Sequence, residues 1–184
     1  MSDYNLQEVD ALLVNSECLF DQKTIEAAIK RIACEMNERF AGQDPLLLCV
    51  MNGAVIFMGQ LATRLTFSLQ IDYIHVTRYH GGLEGRELHW VAEPHINLKD
   101  RTVVIIEDIL DAGLTLATVK NYCTQQGAKE VYCAVMIDKD VPRAKGGVEK
   151  CEFTGLRVAN RFLFGYGLDY QGFLRNIPGI YAVK

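Results

Sequence analysis

Apolar residues recur along this chain with two periods, and the places where the period changes mark its elements. Ile25, Ala28, Ile29, Ile32, Ala33, Met36 and Phe40 fall at helical spacing, which predicts an amphipathic helix over 21–40. Gly42 and Pro45 close it, and the unbroken apolar run Leu46–Met51 predicts a short buried strand. After Asn52-Gly53, the positions of Val55, Met58, Leu61, Ala62 and Leu65 give a second helix. Residues 69–76 and 88–92 read as the two strands of a long hairpin, whose glycine-rich tip, 78–87, has no apolar period. Residues 103–106 form a strand apolar on both faces, as in a parallel sheet. A helix follows over about 114–126 with Gly127 as its C-terminal cap, and 131–137 is one more strand. Shorter strand-like pieces around 153–158 and 162–164 precede an irregular tail.

The strand–helix alternation over 46–137 predicts an α/β fold, a mostly parallel twisted sheet flanked by helices. No repeat or linker divides the 184 residues, so one domain is expected over 1–184. Its core lies at about 46–137, and the N-terminal segment and about 150–184 form a small hood over the sheet's ligand edge. The net charge of −4 disfavours a general nucleic-acid binder. No apolar run reaches the roughly 18 residues of a membrane span. The start, Met1-Ser2-Asp3-Tyr4, carries no export pattern, so the cytoplasm is the expected location. The six cysteines form no CxxC pair and read as reduced core thiols, and the four histidines do not cluster at metal-ligand spacing.

The chemistry concentrates at 103–118. A buried apolar run leads directly into Glu107, Asp108 and Asp111, and a small turn, Asp111-Ala112-Gly113-Leu114-Thr115, then opens a helix. Free amides and the helix dipole at that turn suit a phosphate. A Walker pattern is absent, which disfavours an ordinary P-loop triphosphatase. A glycine turn alone would mean no more than a capped helix. Three carboxylates beside it need another task, since they repel phosphate. Glu107 and Asp108 could accept hydrogen bonds from sugar hydroxyls or help hold Mg²⁺. Asp111 could serve as a base or stabilise developing positive charge.

Residues 103–115, Val-Val-Ile-Ile-Glu-Asp-Ile-Leu-Asp-Ala-Gly-Leu-Thr, resemble the phosphoribosyl-pyrophosphate motif of type I phosphoribosyltransferases, in the form carried by the hypoxanthine-guanine phosphoribosyltransferases. Further blocks follow in order across 46–175, about three-quarters of the chain. The resemblance implies Mg²⁺-dependent transfer of a 5-phosphoribosyl group from phosphoribosyl pyrophosphate to N9 of hypoxanthine or guanine, a step of purine salvage. It implies that Asn52 and Gly53 contact pyrophosphate, with a non-proline cis peptide before Asn52; the family often has a lysine or arginine at that position. Tyr79, in the loop Arg78-Tyr79-His80-Gly81-Gly82, would close over the reacting centre.

By the same resemblance Glu107 and Asp108 take the ribose hydroxyls with Mg²⁺ nearby. Ala112, Gly113, Leu114 and Thr115 hold the 5′-phosphate, and Asp111 removes the proton from purine N7. Lys139, in Lys139-Asp140-Val141-Pro142-Arg143, donates to the 6-oxo group. Phe162 stacks on the purine while the backbone of Arg161 and Leu163 reads its edge. Asp169 is a further Mg²⁺ ligand and Arg175 neutralises pyrophosphate. A xanthine-preferring enzyme fits Lys139 equally, because xanthine also has a 6-oxo group. A nucleic-acid-binding regulator on the same fold is disfavoured by the acidic balance. The family's usual dimers or tetramers could form through the helix at 21–40 or the segment after Val55.

Overall fold

The computed structural model describes residues 6–78 and 88–184. In chain order its elements are α1 (Leu6–Val14), β1 (Glu17–Phe20), α2 (Gln22–Arg39), β2 (Leu46–Met51), α3 (Val55–Ala62), β3 (Gln70–Arg78) and β4 (Leu88–Ala92). There follow β5 (Thr102–Leu110), α4 (Leu114–Gln125), β6 (Glu130–Asp140), β7 (Phe153–Ala159), β8 (Leu163–Phe164) and β9 (Ile180–Ala182). Local chemistry sets the helix ends. The Asp21 carboxylate accepts the Thr24 amide at 2.8 Å and starts α2, as an N-cap should. At the end of α4 the Gly127 and Ala128 amides donate back to the carbonyls of Thr124 and Cys123, the paired closure expected of a glycine cap.

Six strands form the main sheet in the order β4-β3-β2-β5-β6-β7, all parallel except β4, which returns antiparallel beside β3 as the hairpin predicted. Alternate residues serve opposite faces. Leu47, Cys49, Val104, Ile106 and Met136 pack with α2 and α3, whereas Leu46, Leu48, Val50, Val103, Ile105 and Val135 pack against α4. Both faces are therefore dry, which explains the unbroken apolar runs. The mostly parallel sheet with flanking helices is thus confirmed. Strand order reverses between β2 and β5, and the crevice at their C-terminal ends is where such sheets take ligands.

The chain ends build the hood differently from the expectation. A three-stranded antiparallel sheet, β1-β9-β8, joins residues about 160 apart in sequence, so the tail read as irregular contains a strand. Residues 153–159, assigned by pattern to the hood segment, instead form β7, the edge strand of the main sheet beside β6. All six cysteines are free thiols, four of them buried; Cys18 and Cys34 lie at the surface rather than in the core. No helix among the described residues is long and apolar enough to cross a membrane.

Candidate active site

Glu107 and Asp108 lie within β5, and Asp111 just beyond its end. Pairing of β5 with β2 stops at Cys49–Ile106, because β2 turns away at Asn52-Gly53, while pairing with β6 continues to Leu110–Asp138. Past Ile106 the strand is thus supported on one edge and open on the other. Where β2 has gone a cavity of about 580 Å³ opens, lined by Glu107 and Asp108. That is why a strand-length ladder can carry two carboxylates after four apolar residues.

The cavity gathers Asn52, Gly53, Glu107, Asp108, Asp111, Ala112, Gly113, Thr115, Asp169 and Arg175, predicted from three separate blocks of sequence. The Met51–Asn52 peptide bond is cis, as the resemblance implied. Gly53 packs so closely on Asp108 that a Cβ there would lie 1.8 Å from Oδ2; no side chain fits without displacing the carboxylate. Gly113 caps α4 at φ +78, and the helix start has no side-chain cap. Asp111 is therefore not spent as a helix cap. The turn is braced from behind, where the Ala144 and Val148 amides donate to the carbonyls of Ala112 and Gly113 at 3.0 and 3.1 Å.

Electrostatics single out the acidic pair. Glu107 is buried, and Oε2 has no hydrogen-bond partner among the described residues, while Oε1 accepts the Asp108 amide at 3.2 Å. Burial, then the Asp108 charge beside it, holds the Glu107 carboxyl well above its usual range. Burial also raises Asp108, although hydrogen bonding to Glu107 and the Arg175 charge offset part of the rise. A buried and a half-buried carboxyl side by side, one with an orphaned oxygen, form a site that a cation or hydroxyl donors would relieve. Among the described residues no three His, Cys, Asp or Glu side chains converge as a metal cage. Mg²⁺ does not require one, since it commonly binds through one or two carboxylates plus substrate oxygens. Asp169 faces the same cavity, held by Arg175 at 2.7 Å and by the Gly172 amide at 2.7 Å. Arg175 also donates to the Gly167 carbonyl at 2.5 Å, so it crosses the cavity rim in a fixed pose.

Lys139 lines a neighbouring cavity of about 490 Å³ with Asp138, Asp140 and Arg157 rather than this one, but its ammonium stands 3.7 Å from Asp111 Oδ2. It is largely covered, at 13% side-chain exposure, against 51% for Asp111. Leu114 sits in the first turn of α4, outside the lining. Phe162 lies just before β8, half exposed, with the ring of Tyr170 edge-on at 5.9 Å. Leu163 is buried in the core. The Arg161 side chain anchors the hood, pairing with Glu17 at 2.5 Å and donating to the Val183 carbonyl at 3.0 Å. Tyr79 lies outside the described residues. Pattern reading missed His75, Val76 and Thr77, which line the cavity from β3; only their neighbourhood to β2 in the sheet reveals them.

Comparison with known proteins agrees with this geometry. The phosphoribosyl transferase domain pattern matches residues 15–171. A hypoxanthine-guanine phosphoribosyltransferase of Mycoplasma pneumoniae is 35% identical over 161 residues, 87% of this chain and 91% of its own. A hypoxanthine-guanine-xanthine phosphoribosyltransferase of Tritrichomonas foetus is 31% identical over 166 residues, 90% of both chains. The crystal structure of a hypoxanthine phosphoribosyltransferase from Staphylococcus aureus superposes with a TM-score of 0.86 at 26% identity, covering 100% of this chain and 97% of that one.

Proposed function

The chain belongs to the phosphoribosyl transferase family and is a phosphoribosyltransferase, and we propose that it moves the 5-phosphoribosyl group of phosphoribosyl pyrophosphate to N9 of hypoxanthine or guanine, giving IMP or GMP and pyrophosphate. The observation that carries this reading is the Lys139–Asp111 pair at 3.7 Å. A 6-oxopurine presents O6, an acceptor, and the N7 proton side by side on one edge. An ammonium donates and a carboxylate accepts, so the pair complements that edge. Adenine, whose 6-amino group is a donor, meets the ammonium badly.

In this reading the amides of the 112–115 turn hold the 5′-phosphate, and Glu107 and Asp108 accept the ribose hydroxyls. Glu107, Asp108 and Asp169 would hold Mg²⁺, whose charge offsets that of the diphosphate. Arg175 neutralises the leaving oxygens, and the amides of Asn52 and Gly53 contact them without a side-chain cation. As the C1′–oxygen bond breaks, C1′ becomes cation-like and N9 attacks from the opposite face. Asp111 removes the proton from N7, so the purine does not accumulate positive charge. Phe162 stacks on the base, and backbone groups of Arg161 and Leu163 read its edge. Tyr79 closes over the diphosphate and keeps water from C1′.

The partners in this reading are phosphoribosyl pyrophosphate and a 6-oxopurine; neither nucleic acid nor a membrane enters it. A homodimer or homotetramer suits the exposed apolar residues Ile71, Tyr73 and Val91 at the β3–β4 edge. The free cysteines suit the reducing cytoplasm. Steady-state kinetics with hypoxanthine, guanine, xanthine and adenine at saturating phosphoribosyl pyrophosphate and Mg²⁺ test the specificity. Turnover with hypoxanthine and guanine is expected, with adenine lower by about 100-fold or more. Equal use of adenine would contradict the role of Lys139.

A further inference from the structure

Arg143 has an environment unlike that of a surface arginine after a strand. Its Nη1 donates to the carbonyls of Leu110, Asp111 and Lys139 at 3.2, 2.7 and 2.8 Å. Its Nε donates to the Glu149 carbonyl at 3.3 Å, and Nη2 to the Asp138 carboxylate. The Arg143 side chain is only 9% exposed, and that of Asp138, which receives Arg157 on its other oxygen at 3.5 Å, is 12% exposed. One planar group thus joins the end of β5, the end of β6 and the loop behind the phosphate turn. The Asp111 and Lys139 carbonyls accept from the same nitrogen. Their side chains are the two that meet at 3.7 Å.

We propose that Arg143 is a positioning residue for base selection, fixing the Lys139 ammonium and Asp111 carboxylate relative to each other so that together they read a 6-oxopurine. This rests on the reading of that pair given above. Arg143 touches no substrate in this account; it acts through the two backbones. No other side chain can replace it easily. A lysine in its place keeps a positive charge opposite Asp138 but lacks the fork that spans several carbonyls.

The test compares hypoxanthine with purine itself, which lacks the 6-oxo group, in the wild type, Lys139→Met, Arg143→Met and Arg143→Lys. The wild type should prefer hypoxanthine in kcat/KM, and Lys139→Met should lose that preference. Arg143→Met should reduce the preference by about tenfold or more, the worth of a charged hydrogen bond. Arg143→Lys should reduce it in the same direction, and it supplies the result if the methionine variant does not fold. A structural defect alone would slow both bases equally and leave their ratio at the wild-type value. That unchanged ratio, in whichever Arg143 variant folds, overturns the assignment. A wild type without preference for hypoxanthine would instead overturn the reading of Lys139 and Asp111, and this assignment with it.

Discussion

Asp111→Asn should lower kcat by roughly 10²–10⁴-fold, the usual worth of a general base. The amide has nearly the same shape and still hydrogen-bonds, but it cannot take a proton from N7. Because no helix cap depends on the Asp111 side chain, the turn should keep its form in the variant. The lost attraction to Lys139 is modest, as Asp111 is half exposed and its charge is screened. The KM for the base should therefore change by less than about threefold, the signature of an interaction made only in the transition state. Steady-state kinetics with hypoxanthine check both numbers, and nearly unchanged turnover would remove Asp111 from its role as base.

Glu107→Gln should make the free protein more stable and the enzyme worse. Burial and the neighbouring Asp108 raise the Glu107 carboxyl in the folded state. Above the ordinary carboxylate range, the native state then binds more protons than the unfolded chain, so its stability falls as pH rises toward the raised value. Glutamine removes that charge, and its amide can donate to the Asp108 carboxylate. Relief of about 1–3 kcal/mol, at roughly 2–4 °C per kcal/mol for a chain of this size, lifts the melting temperature by several degrees at neutral pH. The wild type should show a steeper decline in stability with rising pH than the variant, in which only Asp108 remains raised. Loss of one charged contact to a ribose hydroxyl or Mg²⁺ should cut kcat/KM by about 10–100-fold. Calorimetry across pH, alongside kinetics, tests the pair of effects; a variant less stable than wild type at neutral pH contradicts the account.

Such opposition between stability and activity is what a carboxylate kept for function inside an apolar sheet should produce. The orphaned Oε2 of Glu107 is its structural trace.

The parts of the fold legible in the sequence are those whose pattern is local. Leu46–Met51 is a strand at the predicted bounds, since burial on both faces leaves no polar interruption. The hairpin and the helices after Asp21 and Gly113 follow from period and caps. The small sheet was hidden because β1 has four residues, none fully buried, and β9 has three. Their order comes from pairing across the whole chain, which no window detects.

The apolar pattern gives β5 too short for a related reason. Apolarity ends at Ile106, yet the ladder to β6 runs on to Leu110 because only one neighbour has ended. The site residues were legible where a short motif holds them together, as at 107–115. Arg143 was visible as a letter in a motif but not as a hub, because its acceptors are backbone carbonyls of two strand ends and a loop. His75 and Thr77 had no motif at all; β3 pairs with β2 as far as His75 and runs on past the end of β2, which brings both to the cavity.

The most direct test of the central claim is the stoichiometry of the reaction itself. The purified protein, given hypoxanthine, phosphoribosyl pyrophosphate and Mg²⁺, should form IMP and pyrophosphate in equal amounts, and neither when hypoxanthine is omitted. Pyrophosphate release without IMP, or no product from any 6-oxopurine, would contradict it.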